Sequence, residues 1–162
     1  MSREVIYERG ARTLLGSWEE YARGAAGAEL RRLPGVAVGV FPNELEGAIY
    51  NNALLARDLE GAKGVEALDA MEAAYAHAGV DAYAAWVHES DAAMLADIDR
   101  RGYALDETSR AMGMALADIR TPRPQVELGP PDWFDYLRLL GVPPDFLAHA
   151  DRSALPGRWP TC

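Results

Sequence analysis

The segment Val80–Tyr103 constrains the fold more than any other part of the sequence. It contains Asp81–Val87, a short run rich in aromatic and β-branched residues that predicts a strand. Ser90 or Asp91 then predicts the N-cap of a helix, because short polar side chains accept hydrogen bonds from the first backbone N–H groups of a helix. Gly102 is a natural helix stop, and the residue after it is expected to begin another strand. A strand, a helix and a second strand in so short a segment indicate helices layered on a sheet.

The preceding half of the chain supplies more elements of the same kind. Val36–Phe41 is a compact apolar run bounded by prolines, which is typical of a buried strand. Ala48–Ala56 predicts the next strand, and apolar residues at helical spacing across Val65–Tyr75 predict a helix that ends near Gly79. We therefore predict an α/β (α+β) fold in which helices flank a mixed central β-sheet.

The N-terminal region is predicted to be helical in two pieces. Residues 3–15 carry apolar side chains among charged residues that favour helices. Ser17 stands three residues before Glu20, the spacing of a capping box, and this predicts that a second helical piece begins there. Trp18 and Tyr21 share one face of that piece. We expect this face to pack on the sheet; the alternative is that the two aromatic side chains line a ligand groove.

The C-terminal third changes in character after residue 120. Prolines are frequent in the segment that follows, and then comes a short aromatic stretch that predicts a helix. The last residues have no hydrophobic periodicity. We predict a globular lobe over residues 1–120, a linker with short helices over 121–150, and a mobile tail over 151–162.

Charge and cysteine content exclude several classes of function. The formal net charge is −9, from 16 basic and 25 acidic residues, and the basic residues form no block. We therefore expect no nucleic-acid partner and no binding to anionic membranes. The sequence has no secretory signal and no apolar run of about 18 residues, the length of a membrane span. Cys162 is the single cysteine, so an internal disulfide or cysteine metal cluster is excluded. These features predict a soluble, cytoplasmic protein.

The polar residues at prominent positions do not form a recognisable active site. His88 and Glu89 begin an H-E-x-x-H motif, but the second histidine is replaced by Ala92, so we expect no metal. Asn51 and Asn52 are unusual within a predicted strand. They are more typical of a bulge or a hydrogen bond at the end of a sheet than of catalysis.

The order of elements resembles the core of the GCN5-related N-acetyltransferase (GNAT) superfamily across residues 36–119. The matching order is a strand at Tyr50–Ala56, a glycine-bearing loop, a helix, a strand at Tyr83–Val87, a helix, Gly102-Tyr103 and a strand. Together with Asn51-Asn52, this order looks especially like the N-terminal lobe of two-lobed members. The resemblance implies a GNAT-like acyl-CoA N-acyltransferase fold, acetyl-CoA as cofactor and a small amine as acceptor.

The sequence departs from the family where the cofactor and the catalytic acid belong. Gly61 and Gly64 are the cofactor-binding candidates, since the family's pyrophosphate loop is Q/R-x-x-G-x-G/A. Counted back from Gly61, the Q/R position is Asp58, a carboxylate that repels phosphates. The tyrosine that often serves the family as general acid corresponds to Ile98, and the asparagine that often begins the same helix corresponds to Asp91. The resemblance therefore implies a degenerate acetyl-CoA loop.

Three functions follow as alternatives. The first is a GNAT-related acceptor-side or structural lobe, truncated or independently retained, which pairs with a second GNAT lobe and has little or no transferase activity alone. The second is a small active N-acyltransferase with an atypical loop at Gly61–Gly64 and with His88 or Glu89 as the base for the amine. The third is a non-enzymatic binding module or homodimer. In that case the aromatic side chains of the predicted C-terminal helix would cover a partner protein or a second copy of the chain. These side chains are Trp133, Phe134 and Tyr136.

Overall fold

A computed structural model of the chain describes residues 2–42, 50–110, 120, 138–139 and 141. The chain divides into two compact units, Ser2–Met112 and a second unit of Gly113–Cys162 together with Met1. In the second unit Arg138 and Leu139 are helical. The aromatic residues of the predicted C-terminal helix and the predicted tail lie outside the described residues.

The first unit begins with one long helix, α1 (Arg3–Gly24). Ser2 is its N-cap, and the Ser2 hydroxyl accepts a hydrogen bond from the Val5 N–H at 3.3 Å. The prediction that a second helical piece begins at Ser17 is wrong. The Ser17 hydroxyl instead donates to the carbonyl of Leu14 at 2.7 Å, within the uninterrupted helix. A serine hydroxyl competes with backbone N–H groups for the carbonyl groups of a helix. The residues after Ser17 favour helices, so this competition does not end the helix.

A tight hairpin follows α1. Its strands β1 (Glu29–Leu33) and β2 (Val36–Val40) pair antiparallel. The turn contains Gly35, whose φ of +75° lies in the left-handed region. A Cβ atom at this position would lie 2.9 Å from both the Cβ of Ala67 and a methyl carbon of Leu59, so the turn also needs the absence of a side chain. The hairpin can therefore approach the neighbouring helix closely.

Strand β1 was not predicted, because its sequence is charged rather than apolar. Arg31 binds Glu29 within the strand, and Arg32 binds Glu19 of α1; both N···O distances are 2.6 Å. Among the strands that the structure describes, β1 is one of the two outer strands of the sheet, and it pairs with β2 along one edge. Charged side chains are a common feature of edge strands, which must not pair with other chains.

The rest of the sheet is formed across a helical crossover. β3 (Asn52–Leu55) pairs antiparallel with β2, and β4 (Ala84–Trp86) pairs parallel with β3, in the order β1-β2-β3-β4. α2 (Ala62–Ala78) connects β3 to β4, and α3 (Ala92–Arg100) follows β4. The predicted α+β class is confirmed at this level: helices flank a mixed four-stranded sheet.

The segment after α3 departs from the prediction. Gly102, with a φ of +85°, follows the end of α3 as expected. Residues 103–110 then have no regular secondary structure, so the strand predicted to begin at Tyr103 is absent from these eight residues. Residues 111–119, which carry the rest of the predicted strand, lie outside the described residues.

The hydrophobic core lies between α2 and the sheet. All five residues of β2 are buried, since both α1 and α2 contact this strand. The largest fully buried hydrophobic side chains come from the sheet, from α2 and from α3: Val38, Val40, Phe41, Leu55, Leu68, Met71, Tyr75 and Met94. On α1, Trp18 is buried but Tyr21 is 45% exposed, so the face that packs inward is narrower than predicted. Among the helices that the structure describes, none is long and apolar enough to cross a membrane.

Candidate functional site

The candidate site lies where the parallel strands β3 and β4 end. In open sheets that contain parallel strands, ligands bind outside the carboxyl ends of those strands. The segment after β3 carries Arg57 and Asp58, and the segment after β4 carries His88, Glu89 and Asp91. His88 and Glu89, the two candidates for a base, therefore both lie at this edge of the sheet.

Asp91 joins the two segments. It is the N-cap of α3, as predicted, and one carboxylate oxygen accepts the Met94 N–H at 3.2 Å. The other oxygen accepts the backbone N–H of Asp58 at 3.1 Å. Asp58 has a φ of +57°, a left-handed conformation that few residues other than glycine adopt. The Asp91 side chain, only 8% exposed, thus fixes the turn after β3 against the start of α3.

We expect Asp91→Ala to lower the free energy of unfolding by about 2–3 kcal/mol, because it removes an N-cap and leaves the Asp58 N–H without its acceptor. Urea unfolding followed by circular dichroism measures this change. Asp99→Ala, at an exposed position of α3, is the matched control and should change the stability by less than about 0.5 kcal/mol. Equal effects of the two substitutions would contradict the role assigned to Asp91.

The two candidate glycines of the cofactor loop lie in different surroundings. Gly61 precedes α2 with φ 54° and ψ −123°, a conformation that side chains disfavour, and it has open space around it. Gly64 lies inside α2 and is buried. A Cβ at Gly64 would be 3.4 Å from the Leu59 carbonyl oxygen and 3.6 Å from the Met94 side chain. A Cβ at this position would make ordinary van der Waals contacts, and Gly64 lies inside α2 rather than in the loop.

His88 is half-buried and held by its neighbours. Its Nδ1 accepts the Ser90 N–H at 3.2 Å and lies 2.8 Å from the Ser90 hydroxyl oxygen. An Nδ1 that accepts a backbone hydrogen bond is unprotonated, which places the proton of the neutral ring on Nε2. The imidazole meets the Tyr7 ring edge-on, with ring centres 4.8 Å apart. Glu89, the other candidate base, is exposed.

Arg57 is a further member of the site. Its Nη1 donates to a carboxylate oxygen of Glu4 at 2.7 Å, and its guanidinium carbon lies 5.0 Å from the centre of the Tyr7 ring. The hydrogen bond to Glu4 raises the pKa of Arg57 further above its usual range, and burial raises the pKa of the Tyr7 phenol. Sequence reasoning missed Arg57, Tyr7 and Glu4, because only the packing of α1 brings Glu4 and Tyr7 to Arg57 at the end of β3.

A second polar cluster ties α2 to the segment after α3. Arg101 binds Asp69 at 2.7 Å and Glu72 at 2.8 Å. The Tyr103 hydroxyl donates to Glu72 at 3.2 Å and lies 2.6 Å from the Tyr83 hydroxyl. Burial raises the pKa of Tyr103, so its phenol keeps its proton near neutral pH. Because its polar groups bind one another, this cluster fastens the end of α3 rather than offering a reactive group.

The part of the chain that the structure describes contains no group of three or more His, Cys, Asp or Glu side chains placed to hold a metal ion. Protein-family models, curated proteins and solved structures were each compared with the chain, and none of them matches it.

Proposed function

We propose that the chain is a GNAT-related lobe on the acceptor or structural side of an N-acetyltransferase, and that by itself it does not bind acetyl-CoA. The order of elements supports this proposal. β3, the loop with Gly61, α2, β4, α3 and Gly102-Tyr103 follow one another in the order on which the resemblance rests, although the strand that ends that order is absent from residues 103–110. Because β3 and β4 pair in parallel, their carboxyl ends lie at the same edge of the sheet. A ligand and a second lobe would meet at this edge.

One observation supports the absence of cofactor binding more than any other: the loop amide of Asp58 is already bound to the carboxylate of Asp91. Loops that hold a pyrophosphate do so by presenting backbone N–H groups and the positive end of a helix dipole to it. Here the chain supplies its own anion, and the side chains of Asp58 and Glu60 add further negative charge before α2. Each of these carboxylates disfavours a phosphate at this place.

The test is a calorimetric titration of the full chain with acetyl-CoA, combined with thermal unfolding in its presence. We expect no binding heat and no change in the melting temperature, with an acetyl-CoA-dependent acetyltransferase run in parallel as the positive control. Binding in the micromolar range would overturn the proposal.

A separate assay decides whether the chain is a small active enzyme instead. Release of CoA is followed with acetyl-CoA and a panel of small amines. We expect no release above the rate without protein. Release that is lost in Glu89→Gln, or in His88→Asn, would favour the active N-acyltransferase. Gly64 is unsuitable as a test position, because it is buried inside α2, where a side chain larger than that of alanine would meet Leu59 and Met94.

A further inference from the structure

The guanidinium of Arg57 has hydrogen-bonding capacity that its surroundings do not use. Its Nε is buried and has no hydrogen-bond partner in the part of the chain that the structure describes. Buried polar groups in folded proteins nearly always have a hydrogen-bond partner. An exception indicates a position where a partner such as an ion can bind. An arginine without a partner for Nε therefore marks a place where an acceptor is needed.

The edge of Arg57 that contains Nε is suited to a carboxylate. Glu4 accepts from Nη1, whereas Nε lies on the other edge of the guanidinium, next to Nη2. The Nε–Nη2 edge is one that binds both oxygens of a carboxylate through two parallel hydrogen bonds. The Glu4 side chain, 59% exposed, belongs to the first turn of α1 and can move aside at little cost.

Two side chains near Arg57 can donate hydrogen bonds. The rings of Tyr7 and His88 are in contact, and the guanidinium lies against the Tyr7 ring. Since burial raises the pKa of Tyr7, its phenol is a donor near neutral pH, and the His88 ring carries its proton on Nε2. Asp58 is adjacent to Arg57 in the sequence, and Glu89 is adjacent to His88. The whole chain carries a formal charge of −9. This negative field favours a singly charged carboxylate over a doubly charged phosphate.

We propose that Arg57, with Tyr7 and His88 beside it, forms a binding site for a small carboxylate ligand. The carboxylate accepts hydrogen bonds from the Nε–Nη2 edge of the guanidinium. This site needs neither acetyl-CoA nor a second lobe, so it goes beyond the function proposed above and can stand or fall independently of it.

The test uses the signals of arginine Nε–H groups in nitrogen–proton correlation spectra of the full chain. Acetate, a singly charged carboxylate, is titrated in at constant ionic strength, and the Arg57 signal is identified as the one that is absent from the Arg57→Lys spectrum. We expect this signal to shift downfield and to saturate, because Nε–H gains an acceptor. The backbone amide signals of Asp58 and His88 should give the same dissociation constant.

Three variants separate a built site from general charge attraction. Glu4→Gln should tighten binding about fivefold, because it removes the negative charge nearest to the guanidinium. Glu19→Gln makes the same change of net charge at the Arg32 ion pair and should leave binding unaltered. Arg57→Lys keeps the charge but loses the fork of donors, so saturable shifts of the neighbouring amides should disappear.

Specific results of these titrations would contradict the proposed carboxylate site. The proposal is overturned if the Arg57 signal shows no saturable shift even in Glu4→Gln, or if Glu19→Gln tightens binding as much as Glu4→Gln does. Inorganic phosphate, titrated in the same way, should bind more weakly than acetate. Tighter binding of phosphate would overturn the assignment of the ligand as a carboxylate.

Discussion

Replacing Tyr75 with alanine is expected to lower the free energy of unfolding by about 3–5 kcal/mol, the range found when a buried aromatic side chain is removed. Tyr75 is completely buried on the inner face of α2, and its ring stacks on that of Tyr83 with centres 4.1 Å apart. The substitution leaves a cavity between the helix and the sheet. Urea unfolding measures the loss, and Tyr21→Ala, at a 45% exposed position of α1, is the control that should cost less than about 0.5 kcal/mol.

Tyr75→Phe separates the contribution of the ring from that of the hydroxyl. The hydroxyl donates to the Gly39 carbonyl at 3.2 Å, and burial raises the pKa of Tyr75, so the donor keeps its proton at any ordinary pH. Removing it leaves one buried carbonyl without this partner and should cost about 1–2 kcal/mol. If the phenylalanine variant were as unstable as the alanine variant, the hydrogen bond and not the packing of the ring would dominate.

The second large effect is expected for Asn51→Ala, which should cost about 2–4 kcal/mol because two buried backbone groups lose their partners at once. The Asn51 side chain, 1% exposed, accepts the Phe41 N–H at 2.7 Å and donates to the Phe41 carbonyl at 3.2 Å. It thereby continues the pairing of β2 with β3 beyond the last paired residues. The same unfolding experiment measures the loss.

Asn51→Asp is the diagnostic companion of the alanine variant. It keeps an acceptor for the Phe41 N–H but sets a carboxylate oxygen against the Phe41 carbonyl, so it should be destabilising near neutral pH and milder in acid. A loss below about 1 kcal/mol for Asn51→Ala would contradict the proposed role, since such a value is that of a solvated amide.

Much of the fold was predictable from local patterns. The apolar run of β2, the helical spacing in α2, the cap at Asp91 and the stop at Gly102 each satisfy a backbone requirement that can be recognised within a few residues. The prediction that asparagine forms a hydrogen bond at the end of the sheet is confirmed for Asn51. These features depend on neighbours in the sequence, and the sequence shows those neighbours directly.

The features that were missed depend on contacts between distant segments. β1 is charged because it lies at the edge of the sheet, and its pairing with β2, not its composition, makes it a strand. Ser17 has the spacing of a capping box, but α1 continues through it. In the candidate site His88 and Glu89 were identified from the sequence, whereas Arg57 acquires its surroundings only when α1 packs against it.

The pairing of β3 with β4 has a consequence for how the site is assembled. The Trp86 indole N–H donates to the Asn52 side chain at 2.7 Å across this pair, between residues that are 34 positions apart in the chain. β1 and β2, by contrast, are joined by a tight turn. Closing the longer loop costs about 2–3 kcal/mol more in chain entropy than closing the hairpin, since each doubling of loop length adds about 0.6 kcal/mol. The edge that carries Arg57 and His88 therefore forms only when the longest loop between paired strands, that between β3 and β4, is closed. The packing of α2 must supply the free energy that offsets this loss of chain entropy.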